Sequence, residues 1–238
     1  MTSADAAPDF SPRGRRARRP PAGERPLETP RAAGVAGLAF AALFVASVLL
    51  LRNQPAGGST GEEIRDFYVG QNAGRVALVG VYLVPFAGIA FLWFIAVVRN
   101  LISDREDRFF ATVFLGSGLL FVAMLFIAAG AGGSLMVAVK FHDEPLPSPD
   151  TVLTVRSLAF GFLFVYAMRM AAVFMIVVST IGMRLGILPR WLVLAGYGAA
   201  LVLILNVSYV TPIILVFPAW VAAVSVVILR AAAQPALP

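Results

Sequence analysis

The chain has 238 residues, 59% of them apolar and 13% charged, with a formal net charge of +6. So much apolar surface cannot be hidden inside a water-soluble domain of this length, which excludes a soluble fold. Cysteine is absent, so disulfides, thiolate metal sites and cysteine nucleophiles are excluded as well.

The first 31 residues carry Arg13, Arg15, Arg16, Arg18, Arg19, Arg25 and Arg31 among Pro, Ala and Gly. With too few apolar residues to build a core, they are expected to form a disordered cytoplasmic tail. These charges fix topology, and they also suit anionic lipid headgroups, at about 1 kcal/mol per basic residue near the surface. The run has no aromatic interleaving and no folded module beside it, so nucleic acid is not an expected partner. Arg15-Arg16 and Arg18-Arg19 look like a twin-arginine signal, but no convincing small-x-small site follows Leu51, and the first apolar run is read as a retained helix.

Long apolar runs then alternate with charged clusters, each complete run reaching the roughly 20 residues that cross about 30 Å of hydrocarbon. The last, Trp191 to Leu229, has 39 residues and is too long for one crossing. Pro212 divides it, and Pro189 marks the start of the helix before. The expected fold is an all-α polytopic transmembrane bundle over residues 32 to 230, with six helices near 33–51, 76–98, 110–133, 155–181, 191–208 and 212–230, and a short cytoplasmic tail at 231–238. With the N-terminus inside, 13 of the 19 basic residues are cytoplasmic and 5 external, as the positive-inside rule prefers; without the tail the count is 6 against 5. Of the 19, 18 are Arg, which together with abundant Ala, Val and Gly is the bias of a GC-rich bacterial genome and points to a bacterial plasma membrane.

In the first external loop, Ser59 and Thr60 precede Glu62 and Glu63 at capping-box spacing, and Ile64, Phe67 and Tyr68 follow on one helical face. A short amphipathic helix is expected there, either packed over the bundle or gating a ligand. In the second, His142-Asp143-Glu144 is the one local group of metal-competent side chains, but consecutive residues rarely converge on one ion, so no metal and no cofactor is expected. Pro145, Pro147 and Pro149 mark a stiff link, with Asp150 available to cap the next helix.

Glu63-Ile64-Arg65-Asp66-Phe67-Tyr68, then Asn72, Val81-Tyr82-Leu83 and Phe91-Leu92-Trp93-Phe94, with the later Leu188-Pro189-Arg190-Trp191 and Phe217-Pro218-Ala219-Trp220, form a pattern over about residues 33 to 230. It resembles a group of uncharacterised six-span integral membrane proteins of actinobacteria. The resemblance implies a fold and supplies no activity, and no catalytic residue follows from it.

Arg169 is the one ionisable residue within a span, about 20 Å along its helix from both Arg156 and Arg184. A central arginine costs about 2.5 to 3.5 kcal/mol, against roughly 4 to 7 kcal/mol returned by the Leu, Ile, Phe and Val residues around it, so this helix still inserts. No Asp or Glu lies in any span to pair with it. Two readings stand side by side: Arg169 bonds carbonyls and locks packing, or it meets an anionic group of a ligand or lipid together with Tyr166, Tyr82 and Asn206. Pro85 and Pro218 should kink their helices, and the clusters Gly116-Ser117-Gly118, Gly130 to Gly133 and Gly196-Tyr197-Gly198 read as close helix contacts that also allow self-association into a homo-oligomer.

Three function classes follow. First is an accessory membrane protein acting through partners or lipids. Next is a small-molecule or lipid transporter with an anion site at Arg169, although no inverted repeat links the two halves. An enzyme comes last, because the spans offer no clustered acids, histidines or nucleophile–base pair.

Overall fold

A computed structural model describes residues 29–55, 59–69, 71–102, 108–142, 145–206 and 211–233. Among them there is no strand, and the helices join into seven rods. We call these α1 (Thr29–Leu51), α2 (Gly61–Val69), α3 (Gln71–Leu78, Val79–Leu83 and Val84–Ile102), α4 (Arg108–Phe141), α5 (Pro149–Phe160, Gly161–Ala167 and Met168–Arg184), α6 (Arg190–Leu205) and α7 (Thr211–Ile214 and Val216–Ala233). Five of them, α1, α3, α4, α5 and α7, are long and apolar enough to cross a membrane. α6 is apolar but has 16 residues, about 24 Å of helix against about 30 Å of hydrocarbon.

Of the tail expected to be disordered, residues 1 to 28 lie outside the described residues. Its last three, Thr29 to Arg31, already belong to α1, because the N–H that Pro30 lacks is one the first turn leaves unpaired anyway. At the other end α7 takes in Ala231 to Ala233, alanine being the best helix former. α5 starts at Pro149, six residues ahead of the expected 155, and its cap is Ser148 instead of Asp150. The Ser148 hydroxyl accepts from the Thr151 N–H at 3.4 Å, and Asp150 sits inside the first turn.

The two prolines act in different ways. Pro85 cannot donate to the carbonyl four residues back and its ring crowds that group, so the turn before it, Val79–Leu83, widens to π-helix and the Val84 N–H reaches back to Val79 O. Pro218 interrupts α7 at Leu215, after which Ala219 N–H pairs with Leu215 O at 3.1 Å. α5 ends in a Schellman turn: Gly186 takes φ +66°, Ile187 N–H donates to Gly182 O and Gly186 N–H to Met183 O. Leu188 then folds back onto Gly182, and Pro189 caps α6.

One glycine of each cluster makes a close contact and one faces open space. Gly118 lies against Ile95 and Phe174, Gly133 against Gly80, and Gly196 against Ser179 and Trp220, whereas Gly116, Gly130 and Gly198 have nothing within 4 Å.

The rods close around a phenylalanine cluster. α1 packs between α3 and α7, α4 between α3 and α5, and α6 mainly on α5. Phe40, Phe91, Phe121, Phe174 and Phe217, one from each of the five long rods, are all 0% exposed. Their ring centroids approach to 4.7 Å for Phe40 and Phe91 and 4.8 Å for Phe121 and Phe217. Lipid tails are as apolar as these rings, so the bundle is held by dispersion and by aromatic geometry worth about 0.5–1.5 kcal/mol per pair.

Candidate functional site

Arg169 is half-buried, and its Nη1 donates to Val165 O at 2.9 Å. That carbonyl lies in the second π-helical stretch, Gly161–Ala167. Tyr166 and Tyr82 are 57% and 52% exposed, and Asn206 follows the end of α6 with its N–H on Val202 O. Neither Arg169 nor any of the three residues singled out with it as a ligand set lines either of the cavities described next.

Those cavities lie at the opposite end of the bundle from Arg184. One of about 110 Å³ is walled by α3, α4, α5 and Tyr68 of α2. A second of about 100 Å³ adjoins it, sharing Leu51, Gln54, Val79, Val84, Leu125, Phe160 and Leu163. The walls are apolar apart from a few groups. Gln54, Tyr68 and Arg156 are the polar side chains of the first; the second adds Ser47, whose hydroxyl is committed to Leu43 O at 2.8 Å, and the exposed Arg52.

Local chemistry sets each polar group. The Thr60 N–H donates to a Glu63 carboxylate oxygen at 2.9 Å, and the Glu63 N–H donates to the Thr60 hydroxyl at 3.3 Å, a reciprocal capping box that starts α2. The 3.6-residue period then turns Ile64 and Tyr68 inward, 1% and 5% exposed, against Val76, Met136 and Val152, and leaves Glu63, Arg65 and Asp66 to water. α2 therefore roofs the bundle. Burial pushes the Tyr68 phenol above its ordinary pKa, with the nearby Arg156 charge pulling the other way, so it is a neutral donor and acceptor at physiological pH. Gln54 is placed by its N–H on Leu51 O just past α1.

Arg156 stands two turns into α5. Its guanidinium carbon lies 4.3 Å from the ring centroid of Phe160, one turn on, and its buried Nε has no hydrogen-bond partner. A buried polar group left unmatched costs about 1–3 kcal/mol, and more when charged. From Arg184 to Arg156 the helix rises about 42 Å, which matches the full width of a bilayer with its headgroups; a crossing by α5 would put Arg156 near a headgroup plane and Arg169 near the middle. The arrangement can hold an oxyanion at a headgroup plane with apolar space beneath.

Sequence reasoning took Arg156 for a boundary charge and passed over Gln54. The available signal was the Arg156 and Phe160 pair at i,i+4 behind a proline-rich helix start. Of the metal-competent group, His142 is exposed, and Asp143 and Glu144 lie outside the described residues. A further polar locus, where the buried Ser179 hydroxyl and Trp220 indole face Gly196, is fully packed. No family model, curated protein or solved structure matches the chain, so its likeness to the actinobacterial six-span proteins rests on the quoted motifs alone.

Proposed function

We propose that the chain is an accessory protein of the bacterial plasma membrane, crossing it six times with both termini in the cytoplasm, and that it works by holding a membrane amphiphile at its outer end. The carrying observation is that both of these cavities lie at the Arg156 end and reach Phe44, Leu125 and Ile214, one turn short of the fully buried phenylalanine cluster. That filled cross-section favours holding a molecule over passing one through. Arg169, the residue on which transport would turn, has a donor engaged by its own helix.

The packing is compatible with six crossings. Gly34 of α1 meets Leu229 of α7, Gly37 meets Phe94 of α3, and Arg184 lies over Phe110 of α4 at 4.5 Å. These contacts bring Arg31, Arg99, Arg108, Arg184, Arg190 and Arg230 to one end, against Arg52, Arg65, Arg75, Lys140 and Arg156 toward the other, so the cytoplasmic assignment leans on the arginines of the N-terminal tail. α6 must then cross for α7 to return, its shortness offset by Trp191 at the interface, 62% exposed.

Single-cysteine variants at Ser59 and Ser148 are both expected to react with an impermeant thiol reagent added to intact cells; protection of both would reverse the orientation. In proteoliposomes, efflux of entrapped small anions is expected to match protein-free vesicles. Protein-dependent efflux that Arg169→Gln abolishes would install the transporter reading instead.

A further inference from the structure

Resting on that reading, the surroundings of Arg156 say what the cavity selects. We propose that Arg156 is the recognition residue for the phosphate oxyanion of an anionic phospholipid, whose apolar chain lies in the space beneath. Four observations converge on it.

The guanidinium carbon stands over the Phe160 ring at 4.3 Å, and a guanidinium's donors lie in its own plane as a fork that can receive two oxygens of one anion. The Nε–H of that fork is buried and has no acceptor within the described protein. The counter-charge is not supplied by the described wall residues, since Gln54 and Tyr68 are the other polar side chains among them and neither is an acid. Below Arg156 the walls turn to Leu125, Ala128, Gly132 and Leu163, which accept the first carbons of a hydrocarbon chain and offer nothing to a free hydrated ion. The absence of a carboxylate among the described wall residues also sets the selectivity. A quaternary ammonium headgroup would bring a second positive charge beside Arg156 with no acid to receive it, and the Phe160 face that a cation would use is already covered.

The test is ligand-induced thermal stabilisation of the detergent-purified full chain, titrated with phosphatidylglycerol, phosphatidylcholine or inorganic phosphate. Wild type is expected to take phosphatidylglycerol at least about tenfold more tightly than phosphatidylcholine and to ignore phosphate. Arg156→Gln should erase that preference, and Arg156→Lys, which keeps the charge and loses the fork, should keep only part of it. Equal stabilisation of wild type by both lipids overturns the proposal whether or not the variants fold. So does a preference that survives in Arg156→Gln, and inorganic phosphate binding as tightly as the lipid would make this an ion site and overturn it too. Gly132→Leu, which fills the apolar space next to Ala159, separates the two levels of the argument. If it abolishes uptake of every lipid while Arg156→Gln keeps its preference, the cavity stands and Arg156 falls. If it changes nothing, the amphiphile reading itself falls.

Discussion

Arg156 and Arg169 share one helix, 13 residues and about 20 Å apart, and meet different surroundings. Arg169, at mid-depth, turns a donor back onto Val165 O, which lowers the cost of its charge without help from another helix. Arg156, near the other end of the helix, stands over an aromatic ring with its Nε unmatched. A charge in the middle of a span draws attention in a sequence, yet one near its end is the better placed to meet a ligand. Tyr68 gives this scale its pH dependence. Its pKa is raised by burial, so the stability that its neutral phenol contributes is fully present below the ordinary tyrosine value near 10 and is lost as pH rises through the higher folded value. Thermal melts from neutral to strongly alkaline pH should therefore show wild type losing stability relative to Tyr68→Phe above about pH 10. Parallel curves would mean that the ring is not held in the roof as described.

Among the elements, what the sequence made readable was local chemistry. Thr60 and Glu63 find each other because a capping box needs only its own turn, and Pro85 and Pro218 disturb their helices because the missing N–H acts within one turn. What stayed hidden was tertiary. In spans apolar on every side no periodicity says which face is buried, so nothing in Trp93-Phe94 tells that the first is 68% exposed and the second 0%. The same blindness hid which glycine of each cluster makes the contact. The π-helical stretch Gly161–Ala167 contains no proline to announce it. Gly80 and Gly133 give a quantitative test, since a Cβ on Gly80 would stand 3.1 Å from the Gly133 Cα, backbone that cannot rotate away. Gly80→Val should cost roughly 1–3 kcal/mol in a detergent unfolding titration. Gly116→Val, in open space, should stay within about 0.5 kcal/mol. Equal effects would show that α3 and α4 do not cross there.

At the scale of the whole molecule, the chain divides along its depth. Arginines stand at both ends, aromatic rings fill the middle, and a capped, mostly apolar cavity beside the Arg156 guanidinium occupies one end. This order suits a protein that holds an amphiphile in one leaflet. The most direct measurement is native mass spectrometry of the chain released from its own membrane, comparing wild type with Arg156→Gln and Arg169→Gln. An anionic lipid adduct is expected on wild type and on Arg169→Gln and should be lost from Arg156→Gln. An adduct that disappears only with Arg169, or that all three forms carry alike, would contradict the assignment of the site to Arg156.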